Sequence, residues 1–212
     1  MVDAVASTTR QERKQQTRDA LLAAALGLTE FHSFDHLSLR QVTKEVGIVP
    51  GGFYRHFRDM DELGLALVDR CFSTLYDLAH ATVDPQRGVE YTLRAAVTAT
   101  LDHIRDRPAE YRFIVRERNG GSPVLRRAIA AEQERYTLTL ADWLRAVPDL
   151  AERSEEHREV LAGLIVAIVA GAAASLVDPA FEPVDEAAIA RLTEQRLRVV
   201  FLGAAHWEPD RA

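Results

Sequence analysis

Apolar positions recur three and four residues apart along most of this chain, and no stretch sustains the alternation of a strand. The pattern predicts an all-α protein. Its clearest punctuation lies between Leu37 and Phe57. Ser38 opens a helix with Gln41 three positions on, a capping box, and Leu39, Val42 and Val46 mark one buried face. Gly47 stands where a helix C-terminus turns left-handed, and Ile48 follows as an apolar plug. Pro50 then begins a second helix whose buried side is Phe53 and Phe57. Two short helices around a glycine turn make a helix-turn-helix pattern, which leaves Gly51, Gly52, Tyr54, Arg55 and His56 on the outer side. An ordinary helical hairpin has the same spacing, and the surrounding chain decides between them.

Residues 1–9 carry no pattern and read as a mobile arm. A helix follows with Leu21, Ala24, Ala25, Leu28 and Phe31 on its stripe and Arg10, Arg13, Lys14 and Arg18 near its start. Beyond the motif, Asp59 and Glu62 start a longer helix through Leu63, Leu67, Phe72, Leu75 and Leu78, broken at Pro85 and Gly88. Leu93, Ala96, Val97, Leu101 and Ile104 mark the next helix, closed before Pro108, and a short helical piece carries Phe113, Ile114 and Val115. Ser122-Pro123 starts a helix bearing Ile129, Tyr136, Leu140 and Trp143, which Pro148 ends. The last two helices span Glu155 to Val177 and Asp185 to His206, with Pro179 and Pro183 between them. The result is about nine helices arranged as a head, residues 1–58, and a larger body, residues 59–212.

Composition narrows the function classes. The 212 residues are 47% hydrophobic and 27% charged, as in a globular protein able to bury a core. The net charge of −6 argues against a protein that coats nucleic acid, but it is unevenly spread. Eight basic and six acidic side chains fall in residues 1–58, against 18 and 26 in the remainder, so a head of +2 sits on a body of −8. A single cysteine, Cys71, excludes an internal disulfide, points to a reducing cytoplasm, and reads as a small core residue. No basic-then-apolar leader opens the chain, so export is not expected. Residues 160–177 hold no charge, but many are Ala or Gly, and they read as a helix buried on all sides. His32 and His36 have metal-compatible spacing yet flank a helix end with no cysteine near, and read as loop histidines. No GxSxG, phosphate-binding loop, dinucleotide fingerprint or HExxH occurs, so nothing points to an enzyme, a metal or a cofactor.

The segments FYRHFRDMDELGLALVD and FIVRERNGGSPVLRRAIAAEQERYTLTLADWL resemble the TetR family of transcriptional repressors. Within it, they resemble the branch that represses unsaturated fatty acid synthesis and acyl desaturation. The resemblance implies that Pro50 to Phe57 is a recognition helix entering the major groove of DNA. Tyr54 and His56 then face the phosphate backbone, Arg55 reaches a base edge or phosphate, and Arg40 and Gln41 open the preceding helix toward a phosphate. Lys14 and Arg18 supply flanking contacts, and Arg58 substitutes for a lysine common in the family where this chain has Met60. Gly51-Gly52 departs from the branch: the pair removes side chains and lets the backbone come close to DNA, so operator sequence does not carry over.

A reader of palindromic half-sites needs a two-fold partner, and the last two helices are expected to supply a homodimer through Gly163, Ala167, Gly171 and Val200. In the body, Phe72, Leu75, Val97, Leu101, Phe113, Tyr136, Leu140 and Trp143 form apolar stripes that read as plain core or as the lining of a cavity. The resemblance implies a long-chain acyl-CoA as effector, with Arg116 of the charged run Arg116-Glu117-Arg118 meeting its pantetheine or phosphate end. A sensor of drugs or aromatic acids controlling an efflux or catabolic operon is the competing regulator. A helical lipid carrier or enzyme without DNA binding is the alternative from another class.

Overall fold

In a computed structural model, residues 2–82, 89–177, 185–204, 206 and 207 are described. Among them every regular element is helical: α1 (Val2–Leu28), α2 (Leu39–Val46), α3 (Pro50–Phe53), α4 (Met60–Thr82), α5 (Val89–Asp106), α6 (Pro108–Glu117), α7 (Pro123–Leu144), α8 (Glu155–Val177) and α9 (Glu186–Ala204). Single 3-10 turns lie at Phe34–His36 and Pro148–Leu150. The breaks expected at Pro85, Gly88, Pro179 and Pro183 fall outside the described residues.

The caps form as their sequences dictate. Ser38 Oγ accepts from Gln41 N at 3.3 Å while Gln41 Oε1 accepts from Ser38 N at 2.9 Å. Asp59 Oδ1 and Glu62 Oε2 make a similar reciprocal pair at the head of α4, accepting from Glu62 N and Arg58 N. Gly47 closes α2 at φ 74°, a conformation that favours glycine. Ser122 accepts from Leu125 N ahead of Pro123.

Four expectations are corrected. The helix preceding the motif extends back through the segment read as an arm, beginning at Val2. Phe31 is 80% exposed because α1 stops at Leu28 and the chain turns before reaching it. The recognition segment is α-helical only from Pro50 to Phe53, after which His56 N donates to Phe53 O in a tight turn; two glycines give the first turn little helical propensity. Finally, α8 is not buried on all sides: Val160 and Leu164 lie on an exposed stripe. This helix is nonetheless long and apolar enough to cross a membrane by length and composition.

One cluster of buried side chains ties head to body. Leu21, Ala25, Phe34, Val42, Phe53 and Phe57 continue through Leu63, Leu67 and Phe72 of α4 to Phe113, Leu125 and Ile129. Gly64 sits where α4 passes between the head and α7. A Cβ there would lie 2.8 Å from both Phe34 and Leu125.

Candidate DNA interface and effector cavity

The outer face of the head gathers most of the expected DNA-contacting side chains. Pro50, Gly51, Tyr54, Arg55 and Arg58 are exposed around α3, as are Arg40 on the first turn of α2 and Lys14 on α1. An added Cβ on Gly51 meets nothing within 4 Å, and one on Gly52 meets only Ile48 at 3.5 Å, so the head's own packing does not require either glycine. His56 is half-buried with its Nδ1 unpartnered among the described residues. Burial first, then the charges of Lys14, Arg18 and Arg55, hold its pKa below 6.5, so the ring is neutral at neutral pH.

Three side chains there are already engaged. The Arg18 guanidinium stacks over the Phe57 ring at 4.8 Å, a cation–π contact that fixes its position. Gln41 spends its carbonyl oxygen on the cap, and Arg58 pairs with Asp59 at 3.0 Å. Val49, not among the residues expected at the interface, is 74% exposed in extended conformation immediately before α3. The only available signal was an apolar residue off the buried stripe, beside Pro50.

The body encloses a cavity of about 530 Å³ walled by residues of α4 to α9. That is within the usual range for a small-molecule site. Phe72, Leu75, Val97, Tyr136 and Leu140 line it as expected. Leu101, Phe113, Arg116 and Trp143 do not. Leu101 is half-buried elsewhere on α5. Phe113 packs edge-on to Phe34 at 6.2 Å and belongs to the head–body core. Trp143 meets Tyr76 and His80 instead. Among the described residues the lining holds no Asp or Glu, and its one charged residue is Arg118, next to Asn119. Tyr111, also in the wall, is hydrogen-bonded to His103 at 2.8 Å.

Arg116 points to the head. Its Nη1 donates to Thr29 O at 2.6 Å and His32 O at 3.2 Å. On the same helix Arg112 pairs with Glu30 at 2.9 Å. Glu117 is fully buried, and its Oε1 accepts from Phe34 N at 2.9 Å. Burial pushes the Glu117 pKa up, against the lowering effect of that hydrogen bond. Helix α6 therefore grips the end of α1 and the following 3-10 turn with one face and walls the cavity with Tyr111, Ile114 and Val115 on another.

Of the residues expected at a dimer interface, Ala167 and Gly171 are exposed and also line the cavity, and Gly163 has open space at its Cβ position. Val200 is half-buried against the cluster of Leu140, Leu144 and Leu161. Alongside them, Val160 and Leu164 on α8 and Leu192, Val199 and Leu202 on α9 leave exposed apolar surface.

Residues 21–67 match the family model for bacterial regulatory proteins of the tetR family, and residues 89–199 match the tetracyclin repressor-like C-terminal domain. Among solved structures, a transcriptional regulator from Rhodococcus sp. RHA1 is 22% identical, with 91% of this chain and 99% of that one aligned at a TM-score of 0.66. The SmeT–triclosan complex is 20% identical over 92% and 96%, TM-score 0.70. The fatty acid degradation regulator FadR from Bacillus halodurans is 16% identical over 85% and 93%, TM-score 0.65.

Proposed function

The chain belongs to the TetR family of bacterial regulatory proteins, and from that premise we propose that it is a cytoplasmic homodimeric repressor whose effector is a long-chain acyl-CoA. It is a DNA-binding transcriptional regulator and not an enzyme. The genes it controls, on this reading, serve fatty acid synthesis or desaturation. The observation that carries the effector class is the cavity: about 530 Å³, apolar nearly throughout and, among the described residues, lined by no carboxylate and a single arginine. A cationic drug would find no counter-charge in that lining, whereas an acyl chain needs none. The similarity to FadR, a regulator of fatty acid degradation with the same fold, adds support.

The two recognition segments of the dimer read half-sites about 34–36 Å apart on a palindromic operator. The exposed apolar surface of α8 and α9 is the face offered for pairing. The effector acts by favouring one spacing of the heads over the other; a ligand indifferent to spacing shifts nothing. Thermal-shift titration across acyl-CoA lengths and saturation tests the ligand class. A binder at a hundredfold its Kd stabilises by about 2.7 kcal/mol. Absence of a shift with every acyl-CoA overturns it. Stabilisation by triclosan instead favours a second reading, a regulator sensing hydrophobic drugs, which the SmeT complex motivates. DNA binding is read separately by gel shift with the gene's own upstream region, where Tyr54→Ala and Arg55→Ala should weaken the complex.

A further inference from the structure

The run Arg116-Glu117-Arg118 divides its work between two parts of the protein. Arg116 and Glu117 are consumed by the head: the first donates to carbonyls at the end of α1, the second accepts from Phe34 N. Arg118, the C-cap of α6, is exposed and lies in the wall of the cavity. Its guanidinium has no hydrogen-bond or ion-pair partner among the described residues, although other arginines of the body, including Arg105, Arg107, Arg112 and Arg135, are paired with carboxylates. No described Asp or Glu lines the cavity to compete for it, and Asn119 adds a neutral amide beside it. An unpaired planar cation at the edge of an apolar chamber matches an anion tethered to an apolar body.

We propose that Arg118 is the anion anchor of the effector site, and that the effector is an amphiphile with its chain in the cavity and a carboxylate or phosphate at Arg118. The inference rests on the cavity being the effector site and names the charged end that site takes. The anion comes from one of two sources, the carboxylate of a free fatty acid or the phosphates of a coenzyme A thioester. Because Arg118 follows Glu117 directly, an anion held there also sits one residue from the clamp on the head.

The test is isothermal titration of the full-length parent and of Arg118→Ala and Arg118→Lys with oleate, oleoyl-CoA and the uncharged oleyl alcohol. Arg118 is exposed, and unchanged thermal unfolding of the variants checks that folding is preserved. The expected result is that the parent binds at least one of the two anions about ten- to a hundredfold more tightly than the alcohol. Arg118→Ala should remove that preference and leave the alcohol unchanged, and Arg118→Lys should restore part of it. Sensitivity of oleate assigns the carboxylate; sensitivity of oleoyl-CoA alone assigns the phosphates. Equal binding of alcohol and anions by the parent, or anion binding indifferent to Arg118→Ala, overturns the anchor while leaving the lipid cavity standing. Binding of none of the three overturns both.

Discussion

Phe53 and Leu75 both sit in apolar surroundings, but their environments differ in kind. Around Phe53 the head is filled: the rings of Phe53 and Phe57 meet at a tilt with centroids 5.7 Å apart, and Leu21, Val42, Leu63 and Leu67 are fully buried against the same cluster. Around half-buried Leu75 the body is hollow, and its lining side chains face about 530 Å³ of space. The first region holds a shape to be read by DNA; the second leaves room for a molecule to be read by the protein. A close-packed interior resists deformation, while a lined void can accept a guest with small rearrangements of its walls.

Truncation should separate the two regions most sharply. Phe53→Ala is expected to cost about 3–5 kcal/mol in urea unfolding, and Leu75→Ala less than about 2 kcal/mol, because its side chain is only half-buried beside existing space. Equal losses would erase the distinction between filled head and hollow body. The joint between the regions comes next. Glu117→Ala should cost about 1–3 kcal/mol by stranding the Phe34 N–H in a buried site. The carboxyl also gives the joint a pH signature. Its folded pKa is raised above the ordinary 4.5, so its contribution is fully present below 4.5 and is lost as pH rises through the folded value. Glu117→Gln keeps an acceptor without titrating, and its stability should be flatter with pH over that window in chemical denaturation.

The smallest effect carries opposite signs in two assays. Gly51→Ala adds a methyl into open space, and should stabilise the free protein by about 0.5–1 kcal/mol, or a melting point a few degrees higher. The same methyl stands on the exposed face of the recognition turn, so operator affinity in a gel shift should fall. Undiminished affinity would show that DNA does not approach the backbone there.

What the sequence disclosed depended on how local the cause was. The Ser38–Gln41 box, the left-handed Gly47 and the bounds of α8 are set within a few residues, and they formed as read. The end of α3 was overextended because Phe53 and Phe57 are spaced alike in a helix and in the tight turn that replaces it. The cavity was half legible: apolar stripes name candidates but not which interior they face, and Phe113 proved to face Phe34. The arginine assignment failed through phase. Residues two apart on a helix lie about 200° around its axis, so Arg116 and Arg118 diverge, and only the packing of α6 reveals which meets the head. The small residues of α8 were expected to serve one role, yet Ala167 and Gly171 also line the cavity, since a helix wall made of such residues has little thickness.

Gly64 gives the junction of these parts a mechanical character. With Phe34 on one side, Leu125 on the other and no volume for even a methyl group, α4 is seated like a shaft in a bearing without clearance. Motion of α7 at this point has no slack to disappear into. A displacement of the cavity wall that moved α7 here would reach the 3-10 turn as displacement rather than as lost play.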